Sequence, residues 1–91
     1  MAPRIVQLRQ TCEAAAAQWE GRTDDEGPVY IRFRHGRLSV QIGAVGGSID
    51  GALGAPSWFE QEIDEPDPWR ISIERVAVLT GIVIDCAIQK S

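Results

Sequence analysis

His35 is the single histidine in this 91-residue sequence, so any Ser-His-Asp or Cys-His nucleophilic arrangement would have to be built on it. It stands before Gly36 in a predicted turn. A solvated turn tip holds a ring too loosely for a general base, which must stay within hydrogen-bond reach of its proton, so His35 reads as a turn residue. The two cysteines, Cys12 and Cys86, fall in no CxxC or Cys/His spacing, which argues against zinc. Cys12 lies on the apolar stripe of a predicted helix, where burial blunts a thiol, and core packing is the expected role. A disulfide between the two is arithmetically open. The start, however, has no basic, apolar and cleavage-site leader, so a reducing cytosol with two buried free thiols is the expectation.

Carboxylates gather at Asp24, Asp25 and Glu26, and again at Glu60, Glu62, Asp64, Glu65 and Asp67, where Trp58, Phe59 and Trp69 interleave with them. The proline-broken EQEIDEPDP lacks the alternating oxygen ligands and sharp glycine of a calcium loop. Paired-carboxylate glycosidase chemistry needs a sugar-sized cleft that a short chain can hardly build. Two readings remain for this segment. It is a solvated loop, or it is a protein-binding surface of Trp58, Phe59, Glu62, Asp64 and Trp69, since aromatic anchors rimmed by charge make interface cores.

Tyr30, Arg32, Arg34 and Arg37 form the basic and aromatic patch of an otherwise acidic chain. Such a face suits phosphates or a stacked base. It is equally readable as solvated strand residues, or as arginines paired with the chain's own acidic loops. Arg34 opposite Arg37 is a like-charge pair, costly unless an anion or acid lies near. The glycine-rich run 43–54 (GAVGGSIDGALG) matches neither a dinucleotide fingerprint nor a P-loop and reads as a flexible connection. No catalytic residue, metal ligand or cofactor is assigned.

The elements that must position these residues follow from periodicity. Ile5, Leu8, Cys12, Ala15, Ala16 and Trp19 recur at three- and four-residue steps, predicting an amphipathic helix over 3–20 with Pro3 in its first turn and Gly21 as its stop. Residues 22–28 (RTDDEGP) predict an exposed loop. In 29–42 the alternation is clean, and a two-residue turn at His35-Gly36 pairs Phe33 with Leu38, Ile31 with Val40 and Val29 with Ile42 on one face. Tyr30, Arg32, Arg34, Arg37, Ser39 and Gln41 take the other. Ser57 and Glu60 have capping-box spacing, predicting a helical turn near 58–63. The Val- and Ile-rich end predicts a second hairpin about Thr80-Gly81, with a bulge near Arg75. A helix from about Glu74 is the rival, because Ala77, Thr80, Ile84 and Ala87 also suit a helical stripe.

Length and charge bound the rest. One core is what a chain this short supports, so residues 1–91 are expected to be a single domain. Net charge of -4 opposes general electrostatic wrapping of nucleic acid. The apolar stretch 76–84 is far shorter than the ~20 residues that span a bilayer. The expected fold is α+β, an N-terminal helix packed on a four-stranded antiparallel sheet made of two hairpins. The expected function is a cytoplasmic, non-enzymatic protein-binding module of adaptor, inhibitor or immunity-like type, using Trp58, Phe59, Glu62, Asp64 and Trp69. Nucleic-acid or phosphate binding through Tyr30, Arg32, Arg34 and Arg37 is the alternative. An enzyme subunit completed by a second chain is a third class, and a homodimer through the second hairpin's edge is compatible with it.

Overall fold

A computed structural model describes residues 3–12 and 17–90. Its strands are β1 (Arg4–Cys12), β2 (Ala17–Thr23), β3 (Pro28–Arg34), β4 (Arg37–Ile42), β5 (Ser57–Glu62), β6 (Val83–Ile84) and β7 (Ile88–Lys90), and its helices are α1 (Ile49–Leu53) and α2 (Ile73–Thr80).

The alternating segment 29–42 folds as its polarity dictates. β3 and β4 pair antiparallel with Val29 opposite Ile42, Ile31 opposite Val40, Phe33 opposite Leu38 and Arg34 opposite Arg37. His35 (φ 52°) and Gly36 (φ 74°) both take the left-handed conformation that a tight two-residue hairpin turn requires. Around this hairpin the sheet runs β5-β4-β3-β2-β1-β6, with β7 also on β1. β1 through β5 are antiparallel neighbours, whereas β6 and β7 run parallel to β1.

The predicted N-terminal helix is therefore corrected to two strands. The pairing of β1 with β2 skips a residue between Ile5 and Gln7 and again between Gln10 and Cys12, so Val6 and Thr11 are bulged. A bulge breaks strict alternation. Ile5 and Leu8, three apart, thus both turn inward and are buried, reproducing on a strand the step that suggested a helix. Trp19 and Ala17 follow from β2, opposite Ile31 and Phe33. Gly21 is needed where it stands, because a Cβ there would lie 2.0 Å from the Gln7 carbonyl oxygen. Glu13, Ala14, Ala15 and Ala16 fall outside the described residues. The predicted loop 22–28 shrinks to Asp24–Gly27, and Thr23, Gly27 and Pro28 are buried.

The second hairpin is likewise corrected, to α2 and two short parallel strands. Ser72 caps α2 by accepting from the Arg75 amide at 3.1 Å, and Gly81 (φ 82°) closes it in the left-handed region. Ile73, Val76, Ala77 and Thr80 lie at helical spacing, with Val76 fully buried, so burial of one stripe outweighs the strand preference of Val and Ile. The chain leaves β5 at one edge, crosses under the sheet through Ile71 and α2, and ends beside β1. That crossing lays Ile71, Val76 and Ile82 against Ile5, Leu8, Trp19, Val29, Ile31, Phe33, Leu38 and Val40 as one core. Among the described residues this inner face is covered, and the other is not.

Two smaller expectations also change. The glycine-rich run contains α1, whose buried Ala52 packs close to Gly43, where a Cβ would lie 3.0 Å from the Ala52 amide nitrogen. Ser57 and Glu60 do touch, Ser57 Oγ donating to Glu60 Oε1 at 2.8 Å, but they do so within a strand and not as a capping box.

Candidate functional site

On the open outer face, rows of cross-strand partners place the charged side chains. Gln18, Arg32, Ser39 and Glu60 form one row across β2, β3, β4 and β5, and Arg34, Arg37 and Glu62 form the next. Neighbouring strands stand about 4.8 Å apart, so Arg37 is within reach of both carboxylates of β5. Its Nε donates to Glu60 Oε2 at 2.8 Å and its guanidinium lies 4.0 Å from Glu62. The Arg37 hydrogen bond first, and the Ser57 hydroxyl second, hold the Glu60 carboxyl below the usual carboxylate range. Of the sequence readings for the arginines, pairing with the chain's own acids thus describes Arg37.

Arg32 and Arg34 differ from it. Among the described residues neither forms an ion pair with an acidic side chain. Arg32 Nε is buried and has no hydrogen-bond partner. Burial pushes the Tyr30 phenol up, and the neighbouring Arg32 charge partly offsets this. Because Ser39 is short, the sheet surface dips between these larger side chains. Arg32, Arg34, Arg37 and Ser39 line a concavity of about 530 Å³, walled on the β5 side by Glu60 and Glu62.

The predicted acidic and aromatic surface is only partly assembled. Phe59 turns inward and packs on the core. Trp69 lies against His35 with ring centroids 4.2 Å apart, and its backbone is tied down on both sides: its carbonyl accepts from the Ala17 amide at 3.1 Å and its amide donates to Asp67 Oδ1 at 2.9 Å. Trp69 is thus a clamp on the hairpin turn, helped by the Gly36 amide donating to the Pro68 carbonyl at 2.8 Å. His35 keeps its turn role and gains this ring contact. Asp64 is exposed beyond the end of β5.

Trp58 and Glu62 stay together on β5. The register of β4 with β5 skips at Trp58, which leaves that residue bulged and 42% exposed. Among the described residues β5 pairs on one side alone. The Ile63 amide donates to the Gly36 carbonyl at 2.8 Å, so alternation along an antiparallel ladder turns the Gln61 N–H toward β4 and those of Glu60 and Glu62 toward the free edge. Residues 57–67 carry five acidic and no basic side chains at this edge.

Cys12, expected inside a helix, is opposite Gln18 on the outer face and half-buried, and Cys86 is a half-buried free thiol. Burial first, and the adjacent Asp85 second, push the Cys86 thiol up. Among the described residues no group of three or more His, Cys, Asp or Glu side chains is placed to hold a metal ion, and no helix is long and apolar enough to cross a membrane. Compared with known protein families, with curated proteins and with solved structures, the chain matches none.

Proposed function

We propose that the chain is a small non-enzymatic binding module that takes an extended, basic segment of another protein along the free edge of β5. The observation that carries this reading is the coincidence, on one open edge, of outward amides at Glu60 and Glu62, a bulged and exposed Trp58, and a surplus of acid, since among the described residues Arg37 and Arg75 are the two cations that meet the five carboxylates of 57–67. Adding a strand supplies main-chain hydrogen bonds, an aromatic side chain supplies an anchor, and the carboxylates select Lys and Arg on the incoming segment. The same carboxylates disfavour a second copy at this edge. Two antiparallel β5 strands would oppose Glu to Glu, and like charges directly opposite are destabilising.

The test uses Glu62→Pro, which removes an outward amide without removing a ladder bond, a substitution tolerated on edge strands. Affinity purification with mass spectrometry should recover a protein from wild type that is lost with Glu62→Pro and weakened with Trp58→Ala, while thermal midpoints stay close. An excess of an extended Lys- and Arg-rich peptide should displace it. Identical protein lists from wild type and Glu62→Pro would refute the proposal.

A further inference from the structure

The two arginines that β5 leaves unpaired point to a second site, separate from the strand edge. From the buried, unpartnered Nε of Arg32, the unpaired guanidinium of Arg34 and the hydroxyl of Ser39 in one concavity, we infer that the outer face of β3 and β4 binds the phosphate group of a small phosphorylated ligand.

Three features of the molecule carry this. A buried donor with no acceptor is an unfavourable arrangement that an oxyanion would relieve, and guanidinium groups engage phosphate through paired N–H bonds. Arg34 directly opposite Arg37 places like charges side by side on the sheet, and an anion between them removes the penalty. Arg37 itself is occupied by Glu60 and Glu62, so it anchors the wall of the site and leaves two cations for a doubly charged group. The volume of about 530 Å³ falls within the range of small-molecule sites.

The β5 wall decides the class of ligand. Glu60 and Glu62 can accept hydrogen bonds from hydroxyl groups next to the phosphate, as a sugar phosphate provides. They repel a continuous polyanion crossing the sheet. A net charge of -4 over the chain acts in the same direction. A compact phosphorylated molecule bearing hydroxyls satisfies both sides of the concavity, and a nucleic-acid strand satisfies one.

The experiment follows the Arg32 Nε–Hε signal by NMR at low salt during titration with glucose 6-phosphate, inorganic phosphate, glucose and a single-stranded oligothymidylate. Glucose 6-phosphate should give a saturable shift, inorganic phosphate a weaker one and glucose none. Arg32→Gln should weaken glucose 6-phosphate about tenfold or more when followed through the Arg34 signal, the range for losing a charge-assisted hydrogen bond. Arg34→Gln, on an exposed residue, should weaken it at Arg32 in the same direction. Trp58→Ala, at a strand-edge residue outside the concavity, should leave this binding intact, which separates the site from the strand edge. A linear, unsaturable shift that is the same in Arg32→Gln would overturn the inference, as would tighter, salt-dependent binding of the oligothymidylate.

Discussion

Inward from β3, Val29, Ile31 and Phe33 are fully buried; outward from the same strand, Tyr30 and Arg32 are half-buried and Arg34 is exposed. The inner set meets α2 and the crossing segment in one core. Among the described residues the outer set meets no covering layer of its own, and of the arginines on β3 and β4 the one that is ion-paired is Arg37, which register brings beside β5. The buried core is thus concentrated on one face and the charged side chains on the other. What a charged side chain does on such a sheet is set by which neighbour the register gives it, since Arg34 and Arg37 are adjacent and only one is paired.

If the faces divide in this way, inner substitutions should dominate any stability series. Phe33→Ala should cost about 3–5 kcal/mol by denaturant unfolding, as expected for a fully buried aromatic residue. Gly21→Ala should cost about 1–3 kcal/mol, because its Cβ collides with the β1 backbone and the strands must part. A mild effect there would break the β1–β2 pairing itself. On the outer face, Arg32→Gln should change stability by no more than about 0.5 kcal/mol, since no protein partner is lost. A loss as large as that of Phe33→Ala would erase the contrast between faces.

The smallest expected effect is a titration. Glu60 should protonate below the ordinary carboxylate value of ~4.3 in wild type and move up toward it in Arg37→Gln, followed by side-chain carboxyl NMR. Because its folded value is lowered, whatever Glu60 contributes is present at neutral pH and fades as pH falls through that lowered value. An unchanged Glu60 titration in Arg37→Gln would contradict the pairing.

The hairpin of β3 and β4 was legible to the residue because its partners are local and one turn sets their register. β1 was not, because the bulges at Val6 and Thr11 convert a strand into a helix-like spacing of Ile5 and Leu8. α2 was visible only as a rival, since Val76, Val78 and Ile73 favour strands until a buried stripe and the Ser72 and Gly81 caps are in place. Among the candidate residues, the shared outer face of Arg32, Arg34 and Arg37 was legible from alternation. The ring contact of Trp69 with His35 was not legible, because nothing in its neighbours reveals a partner 34 positions earlier. Ser39 was passed over, although a small residue among long charged ones is what makes the concavity.

The edge of β5 is the feature on which the functional account stands, and amide hydrogen exchange reads it directly. In the free protein Glu60 and Glu62 should exchange fast and Gln61 slowly. In complex with a protein that wild type retains and Glu62→Pro does not, the Glu60 and Glu62 amides should become protected. Protection of all three amides in the free protein, or no change at Glu60 and Glu62 in the complex, would contradict strand addition at this edge.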